Sequence, residues 1–496
     1  MAVDPRTPVI IGVGQFLNRV DEGATPAEPT ALMVEAVRAA ETDAGAPGAA
    51  AGAGVVAVVP VVSWRYRDPG ALVAGALGAS GAATWYPAMG GNTPQLLVNR
   101  LAAAIAAGDA DLGVVVGGEA YRSRVAAKRA DEHLDWTMQG EDVAPTWSDG
   151  ESFALGHPAE MARGILMPTQ AYPLFENALR HAAGRTLEEH LAAVGGMWAG
   201  FSRVAAANPY AWRRESFTAE EITTPTAENR LVGFPYTKRM VSNPDVDMAA
   251  GCIVCSVERA EALGVPRDRW VFPHSGTDGK DRVMSLRPDF ASSPAIDVAA
   301  NRALELAGAG IDDVAHLDVY SCFPSAVQLA LRALGIDLGT DRDLTVYGGL
   351  CFAGGPWNNP VGHAIASMVG VLREDAGSLG LVTANGGNVE KHAFGVYSTE
   401  PPANPFRAER PQDEIDALGG REVLEEHEGP VTVEAWTVMH ERDGSMARGH
   451  AACLTPDGSR VWGVTDDADA MARFEAEDVG GAAATIERDG TLRLAG

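Results

Sequence analysis

Apolar positions along the chain form two similar series and then change period. Val9 to Val13 is an apolar run that stops at Gly14, which predicts a buried strand. Thr30 can cap a helix running to about Thr42, with Leu32, Met33, Ala36, Val37 and Ala40 on one face. Val55 to Val62 predicts a second buried strand. Asn92 or Thr93 caps another helix, with Pro94 in its first turn and Gly108 at its end, and the strand Leu112 to Val116 follows. The second series opens with a strand at Met248 to Ser256. A helix capped by Ser293, with Pro294 in its first turn and Gly308 at its end, leads to a strand at His316 to Phe323. A helix at Pro360 to Arg373 and a strand at Leu379 to Val382 complete it. The order strand, helix, strand, helix, strand thus occurs twice, which predicts a duplicated α/β unit; two unrelated α/β domains of similar rhythm are the alternative.

Two regions break this rhythm. From Tyr121 to about Val246 Trp, Pro and His are common and the predicted helices are short, at Ala159 to Ile165 and Thr186 to Ala199. This reads as an insertion lying over the core. Pro401 to Pro411 is a linker by composition. Beyond it the apolar residues alternate, at Val431 to Val438, His450 to Leu454, Arg460 to Val464, Ala482 to Ile486 and Thr491 to Leu494. Asp-Gly turns at 443, 457 and 489 separate several of these runs, as in a small all-β domain of the oligonucleotide/oligosaccharide-binding (OB) type. The expected division is residues 1–250 for a first half with its insertion at about 121–246, 251–400 for a second half, and 412–496 for the β domain.

Composition narrows the partners. With 496 residues, 46% of them hydrophobic, the chain can build two or three cores. The net charge of −27 disfavours nucleic acid and anionic membranes. The β domain carries 7 Lys plus Arg against 19 Asp plus Glu, so it too is a poor match for nucleic acid. Five cysteines, a start without a basic and apolar leader, and no membrane-length apolar run predict a cytoplasmic protein with reduced thiols. Cys252 and Cys255 lie in an apolar strand with their side chains on opposite faces, so neither metal nor redox use is expected.

Chemistry is expected where strands stop at glycine turns. Leu379 to Val382 runs into Thr383 to Asn388, a small polar turn built on Gly386 and Gly387, and Gly108 to Glu119 has a similar plan. These segments, with MAAGCIVCSVERAEALG, VYSCFPSA and GGLCFAGGPWNN, resemble the thiolase superfamily over roughly residues 5 to 400. The resemblance implies a duplicated thiolase fold, a five-layer α/β/α/β/α sandwich with a loop domain inserted in the first half. The added β domain resembles the type 1 thiolase-like proteins of actinobacteria. His157 to Ala162 resembles part of the loop domain of the sterol-carrier type of thiolase, a covering lid.

The same resemblance shows what is missing. Where thiolases place a nucleophilic cysteine at a helix start, the chain reads Met89-Gly90-Gly91-Asn92-Thr93. The second motif reads Tyr320-Ser321-Cys322-Phe323, the third puts Gly355 in place of the histidine base, and the fourth has Ala384 and Asn385 in place of a second cysteine. Conventional thiolase chemistry is therefore not expected. The residues left for catalysis are Tyr320, as an acid/base group of the kind that thiolase-like steroid side-chain aldolases use, and Cys322. For Tyr320 the alternative is a structural, hydrogen-bonded tyrosine; for Cys322 it is a small core residue. Gly90, Gly91, Asn92, Cys351, Gly355, Asn358, Asn359, His363, Asn385, Asn388 and His392 are the candidate ligand-binding residues. They stand at strand ends and helix starts, where α/β proteins bind ligands, and Asn385 and Asn388 could donate to a thioester carbonyl. The alternative for the Asn and His residues is that they satisfy turn backbone. The expected ligand is CoA or an acyl-CoA, with no further cofactor and no metal. By fold the chain would be named an acyltransferase of the acetyl-CoA acetyltransferase kind. Further readings are a retro-aldol lyase acting on a β-hydroxyacyl-CoA through Tyr320, or a non-catalytic scaffold, in a monomer or homodimer.

Overall fold

The computed structural model describes residues 3–150 and 156–495. The first series forms strands β1 (Pro8–Leu17), β2 (Val55–Val58), β3 (Ala83–Trp85) and β4 (Leu112–Ala120). The insertion follows, with β5 (Leu231–Gly233) and β6 (Tyr236–Thr237), and then β7 (Asp247–Ser256). The first sheet has the order β1-β7-β4-β2-β3. The second is built from β8 (Phe272–Lys280), β9 (Val314–Asp318), β10 (Leu379–Gly386), β11 (Lys391–Ser398) and β12 (Arg407–Glu409), in the order β12-β8-β11-β10-β9. The series β1-β7-β4-β2 and β8-β11-β10-β9 correspond strand for strand and sense for sense, which is the internal repeat.

Two expectations are corrected here. The strand at Met248 to Ser256 does not open the second half. It is the middle partner of β1 and β4, so the halves divide after Ser256. Its long apolar run is explained by burial on both faces: Cys252 packs in one core and Cys255 in the other. The segment 401–411 is not simply a linker, because β12 adds to the second sheet parallel to β8.

Five layers result. Helices Pro29–Asp43 and Pro69–Leu77 cover the outer face of the first sheet, and Pro294–Ala307 covers that of the second, with Pro324–Leu334 packed beside it. Thr93–Ala107 and Pro360–Glu374 lie between the sheets. Ser293 caps its helix as the sequence predicts, accepting from Ile296 N, whereas Thr30 lies inside the first helix and Glu28 stands at its cap.

Each central helix is fixed by one asparagine to the backbone of a sheet. Asn359 Nδ2 donates to Gly117 O at 2.7 Å and Ala250 O at 3.3 Å, two directly paired residues of β4 and β7. Asn99 Nδ2 donates to Phe394 O at 3.1 Å and Thr277 O at 3.3 Å, directly paired residues of β11 and β8. Glycine makes both approaches possible. A Cβ at Gly117 would lie 2.5 Å from Asn359 Cγ, and one at Gly276 would lie 2.3 Å from Asn99 Cγ.

The insertion contributes two long helices, Pro168–Ala182 and Leu187–Ala207. The C-terminal domain contains β13 (Gly429–His440), β14 (Met446–Leu454), β15 (Arg460–Thr465), β16 (Ala483–Ile486) and β17 (Leu492–Leu494), in the order β15-β14-β13-β16-β17. A bridge from Val464 to Thr491 brings the two ends of this order together. One helix that the alternation does not predict, Ala468–Ala476, is capped by Asp467. The domain is held to the second half by Arg460, fully buried. Its guanidinium pairs with Glu434 and donates to the carbonyl oxygens of Met284, Ser285 and Arg287. Among the described residues no helix is long and apolar enough to cross a membrane.

Replacing Asn359 with Ala leaves two buried carbonyls without this donor and should lower stability by about 1–3 kcal/mol. Gly117→Ala should cost at least as much, because its methyl displaces Asn359. Equilibrium urea unfolding checks both; a change within about 0.5 kcal/mol, the range of ordinary surface substitutions, would contradict the clamp.

Candidate functional site

Four loops converge between the two halves. The first, Gly90 to Asn92, precedes helix Thr93–Ala107 and is closed by Thr93, whose Oγ1 and backbone N both donate to Gly90 O. The second, Val319 to Phe323, leaves β9, and Tyr320 N donates to Thr383 Oγ1 at 2.9 Å. The third is one π-helical turn, Gly349–Ala353, followed by Gly354 to Asn359. The fourth is the turn between β10 and β11.

The first, second and fourth loops are packed against one another. A Cβ at Gly91 would lie 2.4 Å from both Tyr320 Oη and the carbonyl oxygen of Asn385. The phenol of Tyr320 therefore fills the space that a side chain at the helix start would need. On the fourth loop a Cβ at Gly386 would meet Asn92 Oδ1 at 2.7 Å and Gly91 N at 2.9 Å. In the third loop a Cβ at Gly355 would lie 2.2 Å from Ser242 Oγ, so a residue of the insertion fills the space beside the glycine that stands for histidine. A cavity of about 10 Å³ adjoins Tyr320, Asn385 and His392, room for no more than one water.

The insertion closes the site from above. Helix Pro168–Ala182 stacks Tyr172 on Phe323, centroids 4.3 Å apart. Tyr172 Oη donates to Gly387 O at 3.0 Å and accepts from Asn385 Nδ2 at 3.0 Å. Cys322 Sγ lies 3.9 Å from Asn385 Nδ2. Behind Tyr172, Gln328 Nε2 donates to Glu176 Oε1 at 2.6 Å, and Tyr236 and His190 engage the same buried carboxyl group. The sequence reading missed Tyr172 and Glu176. Pro173 disguises their helix, although Tyr172, Phe175 and Leu179 keep helical spacing along it.

Burial governs the titration of the site. It raises the phenols of Tyr320 and Tyr172 well above their usual value. It pushes the thiols of Cys322 and Cys351 up to about 12. At neutral pH the loops thus hold protonated phenols and thiols, with neither thiolate nor phenolate. Tyr320 Oη forms no hydrogen bond among the described residues, and its ring packs against Gly91.

The predicted residues divide accordingly. Gly90, Gly91, Asn92, Tyr320, Cys322, Asn385 and Asn388 lie on the mutually packed loops, with Gly355 beside them. His392 borders the small cavity and sits 3.6 Å from Asp281, stacked on Phe394. The side chains of four others are engaged away from these packed loops. Asn359 clamps the central helix, and Asn358 Nδ2 donates to Pro60 O at 2.9 Å. His363 packs on Tyr347 and bonds Gln15, and burial pulls its imidazole down to about 3, so it is uncharged. Cys351 donates its thiol proton to Arg239 O at 2.8 Å. Their polarity is legible in the sequence, but the backbone groups they satisfy are not.

Iodoacetamide at pH 7.5 should leave all five thiols of the folded protein unmodified over a time in which the unfolded chain is fully alkylated, because all five are buried. Mass spectrometry reads the result. Rapid modification of Cys322 in the folded protein would contradict this electrostatic picture.

Comparison with known proteins fits this architecture. The family model for the thiolase-like protein type 1 additional C-terminal domain matches residues 411–491. No curated protein matches the chain. The crystal structure of a monomeric SCP2-thiolase-like protein type 1 from Mycobacterium smegmatis is similar over 100% of both chains, with 32% identity and a TM-score of 0.85. The Ltp2-ChsH2(DUF35) aldolase shares the fold at 19% identity and a TM-score of 0.62, over 80% of this chain and 99% of that one. The dimeric peroxisomal thiolase of Saccharomyces cerevisiae shares it at 14% identity and 0.56, over 81% and 99%. With the duplicated halves, the four converging loops and the added C-terminal domain all present, the chain belongs to the thiolase-like proteins of type 1, within the thiolase superfamily.

Proposed function

We propose that this protein binds CoA or an acyl-CoA between its two halves and does not carry out Claisen condensation. The observation that carries the second part is the phenol of Tyr320 lying against Gly91, where the resemblance places a nucleophilic thiol. Neither that thiol nor the histidine base has a substitute among the converging loops. The binding part is supported by the retained convergence of the loops and by family membership. Since the cavity at Tyr320 is about 10 Å³, a thioester can enter only if Tyr172 and its helix move away from Asn385 and Gly387.

A second reading, a retro-aldol lyase acting on a β-hydroxyacyl-CoA, is favoured by one feature. Tyr320 presents a phenolic proton with no acceptor, beside the positive end of helix Thr93–Ala107. That proton could be delivered to the enolate left when the carbon–carbon bond breaks. No phenolate or thiolate is available beside it to take the hydroxyl proton, which is why the binding reading comes first.

Two further features belong to the same proposal. The free edge of β3 is covered by the chain itself: Trp147 N donates to Thr84 O and Tyr86 N donates to Trp147 O, each at 3.0 Å. This favours a monomer, because an edge already paired cannot pair with a second copy. The strand order of the C-terminal domain, the bridge that brings its ends together and the helix between β15 and β16 support an OB-type barrel. Its acidity makes a protein partner the scaffold alternative, and the whole is read as cytoplasmic.

Millimolar CoA or acetyl-CoA should raise the melting temperature by mass action. No shift with either, or with a long-chain acyl-CoA, would overturn the binding reading. If a β-hydroxyacyl-CoA is cleaved, Tyr320→Phe should abolish cleavage while leaving CoA affinity within about twofold, the effect of a group that acts only in the transition state. Undiminished turnover in that variant would exclude the role.

A further inference from the structure

A second concavity opens beside the first loop, on the flank of helix Thr93–Ala107. It encloses about 320 Å³, within the range of small-molecule sites. Its wall carries four cations, Arg100, Lys280, Lys391 and Arg410, against two carboxylates, Asp149 and Asp278. On a chain of net charge −27 this is a local reversal of sign.

The cations come from different elements. Arg100 stands on the central helix, Lys280 ends β8, Lys391 begins β11, and Arg410 follows β12. Several are held in place. Arg410 lies 3.5 Å from Asp278, and Lys391 Nζ donates to Met89 O at 3.1 Å. Arg100 differs. Its guanidinium stacks on Trp147, 3.7 Å from the ring centroid, and lies 5.3 Å from that of Trp85. Among the described residues it makes no hydrogen bond or ion pair. Stacking fixes the plane of the guanidinium and leaves its N–H edges to a ligand. Asn92 and Thr93, at the positive end of the helix dipole, line the same cavity.

Several cations spread over separate walls suit an anion of more than one charged group better than a single carboxylate. We propose that this cavity binds a small ligand through a diphosphate or longer phosphate chain. The site is separate from the thioester cleft, although His392 borders both cavities and Asn92 belongs to the first of the packed loops. The protein's overall field repels anions, so affinity rests on direct contact with these groups.

The test titrates the full-length protein with inorganic pyrophosphate and with ADP by calorimetry, using phosphate-free pantetheine as the control. Pyrophosphate and ADP should bind below millimolar concentration and pantetheine should not. Arg100→Met and Lys280→Met should each weaken pyrophosphate by about tenfold, the loss of one charge-assisted contact. Lys280→Met serves alone if Arg100→Met fails to fold. Absence of pyrophosphate binding in the wild type, or equal binding by wild type and both variants, would overturn the proposal. CoA that binds all three proteins equally, with no pyrophosphate binding, would leave the cleft reading standing and overturn this one. Pyrophosphate binding that depends on Arg100, in a protein that does not bind CoA, would do the reverse.

Discussion

Two asparagine amides, each let in by a glycine, hold the middle of this molecule. Asn99 reaches the second sheet past Gly276, and Asn359 reaches the first past Gly117. Each amide bridges two directly opposed strands, so a helix cannot slide without breaking two hydrogen bonds in a buried layer. The loops that matter most begin at these helices. Gly90 to Asn92 lies two turns before Asn99, and Gly354 to Pro356 lies just before Asn359. The two clamps therefore fix the loops, whatever side chains the loops carry.

The side chains on those loops and around them fill the space beside the loop glycines. Removing a side chain at Gly91 would leave a void beside a helix N-terminus, and the Tyr320 phenol occupies it. At Gly355 the hydroxyl of Ser242 does the same. Above them Tyr172 stacks on Phe323 and ties Asn385 to Gly387. The result is a site as closely packed as a core, in which burial keeps both phenol and thiol protons in place.

Much of this was legible in the sequence, and the misses share a cause. The repeated strand–helix order, the Ser293 cap and the five strands of the last domain all follow from local pattern. What local pattern cannot show is the partner. Met248 to Ser256 looked like the opening of a new half because a strand buried on both faces reads the same wherever it inserts. Asn358, Asn359 and His363 looked like ligand groups because the sequence shows a polar residue but not the backbone or side-chain group it satisfies. Tyr172 was hidden by Pro173, which breaks the helical reading although the helix continues through it. Tyr320 was visible as a candidate, but its packing against Gly91 joins positions more than two hundred residues apart.

The central claim is that the buried, protonated thiols and phenols of the converging loops do not accept an acyl chain from a thioester. Intact-mass spectrometry after incubation with acetyl-CoA and acetoacetyl-CoA at neutral pH tests it directly, since a thiolase-type reaction must pass through an acyl-enzyme. The account predicts that the mass of the protein does not change. A stoichiometric acetyl adduct mapped to Cys322, or to any other residue of these loops, would contradict it.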